Sequence, residues 1–435
     1  MLETTCLKKG VAVVCDPYCC WKQVEINTIA SGFGWLGPSS SAIQRASAGA
    51  IYWGLRQQTF QLGLFRSDYF ADSAANFGIK QVEFNTIASS FGGIATNISQ
   101  YNSYPVVYTV LDWPAIDWEI GTQILVCSTL PTNGALQGLC EALAEAWTLY
   151  ADPRAVVMIV VENVSYNICD QRFHEFEIRE LHPEIRVIRK TLTEIGEQGK
   201  LGPMKELIIK DDVVSVVYFR SGYEPGQYPS QLEWEARLLV ERSRAIKSPS
   251  IQYHLAGTKK VQQALARPGA VEKFLTELHQ VEVVREIFTG LYSLDFDKFG
   301  EEAIQLALAN PDKFVLKPQR EGGGNNVYGE KVREELLAMK DSKERTAWIL
   351  MERISPPIQT CYIVRPGQDG LPPLSDLVSE LGIFGVIIGD KDNIIVNKQV
   401  GHMLRTKLSS ADEGGVAAGA GALDSPYLID AVVGC

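Results

Sequence analysis

The sequence lacks the arrangement of cysteines and histidines that marks a zinc site. Its nine cysteines are scattered without a C-x-x-C pair, and it has only five histidines. His174 is the histidine nearest a cysteine, Cys169, and no second pair completes a tetrahedral set of ligands. An odd number of scattered cysteines is typical of a reducing compartment, so we expect a cytosolic protein without a zinc site.

Positive charge and long apolar runs are also scarce. The chain has 41 Lys and Arg against 52 Asp and Glu, a net charge of −11, so binding to nucleic acid or to an anionic membrane is not expected. Anionic ligands must therefore be held by local sites. The longest apolar runs, such as residues 156–161, are far shorter than the roughly 20 residues that span a bilayer. The first residues contain no apolar stretch of secretory length.

The composition is otherwise that of an ordinary folded protein. With 435 residues, 46% of them apolar and 21% charged, the chain is long enough for about two or three domains with a substantial core. No Ser/His/Asp or Cys/His arrangement stands out, so we do not expect a nucleophilic side chain of that kind.

Strand and helix patterns alternate in the middle of the chain. Apolar residues from Leu136 to Tyr150 share one helical face, and Asp152-Pro153 ends that helix. Alternation of this kind predicts a parallel α/β unit. The remaining elements are predicted as helices at 171–181 and 234–246, and as strands at 155–161, 185–188 and 212–219, with longer strands at 379–388 and 393–403.

One segment of the chain occurs twice. Residues 22–34 recur at 80–92 with eleven of thirteen positions identical. Two copies are too few for a repeat architecture, so we interpret them as a duplicated exon or a gene-model artefact. The first copy contains G-x-G-x-x-G at 32–37, but Pro38 and a serine run follow in place of a helix. We therefore do not interpret it as a dinucleotide-binding motif.

The most informative segment is FVLKPQREGGGNNVY at residues 314–328. Its first residues are β-prone, and Pro318 places Lys317 at the end of the strand. The glycines at 322–324 readily adopt positive φ, which lets backbone N–H groups approach phosphate oxygens. Glu321 is the kind of oxygen ligand that Mg²⁺ takes beside phosphates. The pattern predicts a β-hairpin that binds a nucleotide triphosphate, and a surface hairpin with flexible glycines is the alternative.

This segment resembles the glycine-rich loop of the eukaryotic glutathione synthetases, which belong to the ATP-grasp superfamily. The resemblance covers about 62–96 and 136–428, whereas 1–60, 97–134 and the last residues depart from it. No single block is specific for the family, but nine blocks in the order that the family has are. The other eight are LGLFRSDY at 62–69, QVEFNT at 81–86, VYFRSGY at 217–223, LAGTKKV at 255–261, ILMERI at 349–354, SELGIFG at 379–385, VGHMLRTK at 400–407 and GGVAA at 414–418.

The resemblance implies an α/β (α+β) protein with an ATP-grasp fold, a parallel α/β substrate-binding domain and a glycine-rich lid. The implied divisions are an atypical segment with the duplicated motif at 1–60, the N-terminal part of the ATP-grasp core at 61–150, the substrate-binding domain at 151–258, and the ATP-grasp domain with its lid at 259–435.

The resemblance also implies an ATP site that contains Mg²⁺. Glu83, Asn85 and Glu321 are the matched metal ligands, and strand alternation puts Glu83 and Asn85 on one face, although an exposed polar strand face would look the same. The residues matched to ATP are Glu83, Lys259, Lys317, Pro318, Gln319, Arg320, Glu321, Gly322, Gly323, Gly324, Asn325, Asn326, Tyr328, Met351, Glu352, Arg353, Ile354, Glu380, Lys407 and Glu413.

For the peptide substrate, the matched arginines are Arg66 and Arg405, whose planar guanidinium groups suit carboxylates. With Lys317 they form the implied catalytic set. Ser165 and Tyr166 replace an acidic residue and an arginine that are common in the family, and Ala88 replaces a serine. The matched substrate residues are Arg66, Ile87, Ala88, Ser89, Ser90, Ser165, Tyr166, Asn167, Gln171, Arg220, Ser221, Gly222, Tyr223, Arg405, Val416 and Ala417.

The implied activity is that of an ATP-dependent carbon–nitrogen ligase, which joins γ-glutamylcysteine to glycine through an acyl phosphate. The implied assembly is a homodimer. One alternative is a relative that uses another acceptor such as β-alanine, although Val416 and Ala417 favour glycine. Another is a catalytically inactive ATP-binding paralogue. A protein kinase is disfavoured because the sequence has neither an H-R-D nor a D-F-G motif.

Overall fold

The structure is a computed structural model, and it describes residues 58–76, 78–103, 130–165, 167–320, 324–364, 372–413, 416 and 421–426. The first copy of the duplicated motif lies outside these residues, as do Tyr166, Glu321, Gly322, Gly323 and Ala417.

Helices and strands alternate along most of the described chain. Their order is β1 (Gln61–Asp72), β2 (Gly78–Asn85), α1 (Gly92–Ser103), α2 (Ala135–Tyr150), β3 (Val156–Val160), α3 (Ile168–Leu181), β4 (Val187–Lys190), α4 (Leu192–Gln198), β5 (Gly199–Leu201), β6 (Leu207–Ile209), β7 (Asp212–Phe219), α5 (Gln231–Arg242), β8 (Ile246–Ser248), α6 (Ile251–Ala256), α7 (Lys259–Ala266), α8 (Leu278–Glu286), β9 (Leu291–Ser293), α9 (Lys298–Ala309), β10 (Phe314–Pro318), β11 (Val327–Tyr328), α10 (Glu330–Met339), β12 (Trp348–Glu352), β13 (Gln359–Tyr362), β14 (Leu374–Gly389), β15 (Ile394–Leu408) and β16 (Gly421–Asp424).

The largest antiparallel sheet joins the two ends of the described chain. Its strand order is β16-β15-β14-β1-β2, and β13 pairs with β14. Both faces of β1 are buried, because Leu62 and Leu64 pack with α2 while Phe65 and Tyr69 pack with Tyr253 on the other face. A strand buried on both faces is expected to be apolar, so its few polar residues stand out.

The middle of the chain forms a mixed sheet. Strands β4, β3, β7 and β8 are parallel, as predicted, whereas β6 and β5 extend the sheet as an antiparallel edge. All five residues of β3 are buried, which explains its continuous apolar run. The prediction of a parallel α/β unit did not include the edge hairpin, because those two strands are only three residues each.

Two predicted boundaries in this region were wrong. The helix predicted at 234–246 ends at Arg242, and Ile246 instead pairs with Val216 in the sheet. The strand predicted at 185–188 lies at Val187–Lys190, because Val187 is the residue that aligns with Val157 of β3. Pairing partners from distant parts of the chain decided both cases.

A third sheet is antiparallel, with the order β11-β10-β12-β9. Helices α9 and α10 cover one face, where Leu316 and Leu350 of the sheet pack with Ile304 and Leu336. Val315 pairs with Tyr328, so the segment with three glycines joins two antiparallel strands, as predicted. Within the described residues, no helix is long and apolar enough to cross a membrane.

Candidate active site

The pairing of β1 with β2 brings four polar side chains together. Arg66 lies opposite Asn85, and Asp68 lies opposite Glu83. Arg66 donates two hydrogen bonds to Asp68, 2.7 Å from Nε to Oδ1 and 2.8 Å from Nη2 to Oδ2. Asn85 Nδ2 lies 3.1 Å from Asp68 Oδ2 and 3.3 Å from Glu83 Oε1. Alternate positions on adjacent strands share a face, so all four side chains point to one site.

Asp68 is the residue of this group that sequence reasoning missed. It is fully buried, and burial raises the pKa of its carboxyl to about 6 even though Arg66 opposes the shift. Gly382 on β14 provides the room, since a Cβ there would lie 2.8 Å from Asp68 Oδ1. The spacing of two residues within LGLFRSDY places Asp68 on the same strand face as Arg66, but it does not show that the pair is buried.

Two lysines approach Glu83 from outside the large sheet. Lys259, at the start of α7, lies 3.2 Å from Glu83 Oε2, and Lys317, at the end of β10, donates to the carbonyl of Val82 at 3.0 Å. Burial opposes ionisation of Glu83, but Lys259 and Lys317 outweigh it and hold the pKa well below its usual range. Burial also lowers the pKa of Lys317, which Glu83 partly offsets. Glu83 is therefore an ionised carboxylate that lies beside the buried ammonium groups of Lys259 and Lys317.

Arg405 and Glu380 form a second ion pair on adjacent strands of the same sheet. The two residues are directly opposite in the pairing of β14 with β15, and Arg405 Nη2 lies 2.7 Å from Glu380 Oε2. The charge of Glu380 raises the pKa of Arg405 above its usual value. The other oxygen of Glu380, Oε1, is buried and has no hydrogen-bond partner among the described residues. A buried carboxylate oxygen without a donor is expected to receive one from a ligand.

The described part of the glycine-rich hairpin contacts the segment after β15. The backbone N–H groups of Gly324 and Asn326 both donate to Glu413. Lys407 Nζ donates to the carbonyls of Ala411 and Asp412, 2.5 and 2.6 Å away. The predicted ATP residues Gly324, Asn326, Lys407 and Glu413 are therefore neighbours.

The predicted ATP residues at 351–354 run along the end of β12 into the following loop. Met351 is buried in the sheet, and the N–H groups of Glu352 and Arg353 donate to the carbonyls of Gly290 and Lys313. These two N–H groups are therefore already paired within the protein. Arg353 also pairs with Asp412 at 2.9 Å, and its guanidinium lies 5.8 Å from the centre of the Tyr328 ring.

The predicted substrate residues come together around the loop that follows β2. Ala88 and Phe91 have φ values of 49° and 79°, which non-glycine residues rarely adopt. Arg66 Nη1 donates to the carbonyl of Ser90 at 2.7 Å. Arg220 donates to the Ser89 carbonyl and to Ser90 Oγ, both at 3.0 Å. Two arginines thus hold a strained loop in place.

Asp170 is a second residue that sequence reasoning missed. Its fully buried carboxylate accepts hydrogen bonds from the backbone N–H groups of Phe91, Gly93 and Ile94 at the start of α1. It also pairs with Arg220 at 3.0 Å. A carboxylate at a helix N-terminus satisfies otherwise unpaired N–H groups. The adjacent Gln171 was predicted as a substrate residue, but no pattern in the sequence distinguished Asp170.

Asn167, just before α3, contacts the same loop, and Gln171 lies in the first turns of α3. Asn167 Nδ2 donates to Ser90 Oγ at 2.9 Å, and Gln171 Nε2 donates to Ser165 Oγ at 3.1 Å. Val416 is partly buried. The structure therefore gathers the predicted peptide residues from three segments of chain, at 87–90, 165–171 and 220–223.

A glycine-rich antiparallel hairpin, buried lysines at a strand end and at a helix start, and carboxylates on a neighbouring sheet are the features of ATP-dependent ligases with an ATP-grasp fold. A sequence profile described as "Eukaryotic glutathione synthase, ATP binding domain" matches residues 51–428, and the chain belongs to this family. The predicted family, fold class and ligase class are confirmed.

Individual relatives agree with this assignment. The chain is 46% identical over 377 residues to a glutathione synthetase of Xenopus laevis, covering 86% of this chain and 76% of the relative. It is 45% identical to the Homo sapiens glutathione synthetase, covering 85% and 75%. Identity to the chloroplastic enzyme of Arabidopsis thaliana is 44%, covering 86% of this chain and 66% of the relative.

A solved structure shares the fold. The apo form of a glutathione synthetase-like effector from Globodera pallida aligns with a TM-score of 0.71, covering 94% of this chain and 88% of that one. Its sequence identity is only 21%, so the likeness concerns the fold alone.

Proposed function

We propose that this protein joins γ-glutamylcysteine to glycine and converts ATP to ADP and phosphate. The observation that carries the proposal is the single polar site in which Arg66, Glu83, Lys259 and Lys317 meet beside the glycine-rich hairpin. Such a site can place a phosphate chain next to a peptide carboxylate. The γ-phosphoryl group would pass to that carboxylate, and the glycine amine would then displace phosphate from the acyl phosphate to form the amide.

The lysines are assigned to the phosphates. Phosphoryl transfer depends mainly on positioning and on neutralising negative charge. Lys259 and Lys317 are each only 5% exposed, so water screens the charge of their ammonium groups little. Glu83 pairs with the Lys259 ammonium and attracts that of Lys317, which is held by the Val82 carbonyl.

The proposed cofactor is Mg²⁺, which would be held by Glu83 and Asn85, together with Glu321 outside the described residues. Glu83 suits a hard cation, since its pKa is held low and its carboxylate stays ionised. Within the described residues no group of three or more His, Cys, Asp and Glu side chains could hold a metal. Magnesium needs few protein ligands when a nucleotide supplies phosphate oxygens, and it would neutralise their charge.

The arginines are assigned to the carboxylates of γ-glutamylcysteine. Arg66 uses three of its N–H groups on Asp68 and Ser90, so two of its five N–H donors are left for a ligand. Arg405, on β15, would also bind a carboxylate of γ-glutamylcysteine. The proposed glycine contacts are Val416 and Ala417, in the loop we assign as the lid.

The proposed domain divisions remain those given above, with β1 and β2 assigned to the ATP-grasp core. The pairing of β1 with β14, and of β2 with β1, supports that assignment. The homodimer and the cytosolic location stay predictions.

The reaction is tested by measuring phosphate release from MgATP with purified protein. We expect release only when both γ-glutamylcysteine and glycine are present, with one glutathione formed for each phosphate. Replacing glycine by β-alanine tests the acceptor, and we expect a much lower rate. Equal phosphate release without γ-glutamylcysteine, or none with folded protein and all substrates, would contradict the proposal.

The metal assignment has its own test. Asn85→Ala should raise the Mg²⁺ concentration needed for half-maximal rate by about tenfold, since one oxygen ligand is lost. Asn97→Ala is the matched control, because Asn97 lies on α1 and its side chain hydrogen-bonds the Gly93 carbonyl in its own helix. An unchanged Mg²⁺ requirement in Asn85→Ala would remove Asn85 from the proposed metal site.

A further inference from the structure

The turn at 220–223 takes its shape from one side chain, that of Gln227. Gln227 Oε1 accepts hydrogen bonds from the backbone N–H groups of Gly222 at 2.6 Å and Tyr223 at 2.9 Å. Gly222 has a φ of 96°, which favours glycine, so the turn is held in an unusual backbone conformation. The side chain satisfies two adjacent N–H groups that no strand or helix pairs.

The same side chain ties this turn to a second loop. Gln227 Nε2 donates to Glu162 Oε1 at 2.7 Å, and Glu162 follows β3 at the start of the segment that leads to Asn167. A further contact supports the turn, since Tyr228 Oη donates to the Gly222 carbonyl at 2.9 Å. The Tyr228 ring in turn stacks on Trp234, with 4.0 Å between the ring centres. Gln227 is thus held on a short, braced 3-10 turn, Pro225–Gln227.

The turn and the loop both lead to the proposed peptide site. Arg220, at the start of the turn, and Asn167, at the end of the loop, donate to the same atom, Ser90 Oγ, at 3.0 and 2.9 Å. A displacement of the turn relative to the loop would therefore move two of the groups that face the substrate. Small displacements of positioning groups have large effects on binding and catalysis.

We propose that Gln227 is a positioning residue for the dipeptide: it sets the turn at 220–223 and its register against the 162–167 loop, and so determines affinity for γ-glutamylcysteine. The proposal rests on the function proposed above. Gln227 acts through Gly222, Tyr223 and Glu162 and is not assigned any contact with the reacting atoms.

The test separates the acceptor and donor roles of the side chain. Gln227→Leu removes both roles, and it should raise KM for γ-glutamylcysteine about 10- to 100-fold while KM for ATP changes by less than about twofold. Gln227→Glu keeps an acceptor for the two N–H groups but places a carboxylate against Glu162, and it should also raise the dipeptide KM.

The double variant Glu162→Gln/Gln227→Glu exchanges the donor and acceptor between the two positions at unchanged net charge. It should restore the dipeptide KM to within about threefold of the parent. Gln231→Leu is the matched control, since Gln231 is exposed on α5 and its side chain hydrogen-bonds Glu235 of the same helix.

The outcomes are distinct. A parent protein that makes no glutathione contradicts the proposed function itself, whatever Gln227 does. If the parent is active, the inference is overturned by a Gln227→Leu variant with normal dipeptide KM, by equal rises in both KM values, or by a double variant that is no better than Gln227→Glu. If Gln227→Leu does not fold, the comparison of Gln227→Glu with the double variant decides alone.

Discussion

Glu83→Gln should reduce ligation by about a thousandfold or more, whereas Glu25→Gln should leave the rate within about twofold of the parent. Glu83 is the anionic centre that faces Lys259 at 3.2 Å and the Lys317 ammonium. A neutral amide there removes the counter-charge of both lysines and the negative charge of one proposed metal ligand. The amide has nearly the same shape, so the loss would come from charge.

The two glutamates occupy equivalent positions in the duplicated segment, so each is the other's matched control. Glu83 has the neighbours that a working site needs, because β1 places Asp68 opposite it and Arg66 opposite Asn85. Glu25 lies outside the described residues, and no arginine block like that at 62–69 precedes it in the sequence. A ligand is effective only when its neighbours hold it within about half an ångström of the productive position.

Rates are measured by ADP release, and ATP binding by calorimetry. The reverse order of losses would assign the site to the first copy, and equal large losses would mean that both copies contribute. A melting curve checks that each variant is folded at the assay temperature.

Arg66→Met should abolish use of γ-glutamylcysteine and also destabilise the fold by about 3 to 5 kcal/mol, because it leaves Asp68 buried without its charged partner. Asp68 is 0% exposed, so water cannot replace the lost pair. The free energy of unfolding is measured in urea, and dipeptide affinity by calorimetry with a non-hydrolysable ATP analogue.

A double variant separates the two effects. Arg66→Met/Asp68→Asn removes both charges and should recover most of the lost stability, since removing both partners costs less than leaving one unpaired. It should still fail to bind the dipeptide, because the proposed carboxylate contact is gone, while ATP affinity stays near that of the parent. Recovered dipeptide binding in the double variant, or lost ATP affinity with normal peptide affinity, would show that Arg66 is wrongly assigned.

The ion pairs of the site also explain why its arginines are pre-arranged. Arg66, Arg220 and Arg405 are each paired with a carboxylate, on Asp68, Asp170 and Glu380 respectively. A guanidinium fixed by one carboxylate loses less conformational entropy when it binds a second. The protein thus supplies the geometry of the proposed peptide site before the peptide arrives.

The sequence alone determined the class of protein, and it predicted the site residues that the proposed function uses. Local patterns in the sequence were sufficient to predict elements whose formation depends on neighbouring residues. Helix α2 follows from apolar residues on one face, and β3 follows from its continuous apolar run. The hairpin at 314–328 follows from a strand end, a proline and three glycines.

Only the tertiary structure decided which charges meet. The pairing of Arg66 with Asp68 required both side chains to be buried on one face of a central strand, and the pairing of Asp170 with Arg220 joined residues 50 positions apart. The same holds for Ile246–Ser248, which became a strand because β7 offered it a parallel partner. Burial and distant pairing depend on the assembled sheets, so no local pattern in the sequence could specify them.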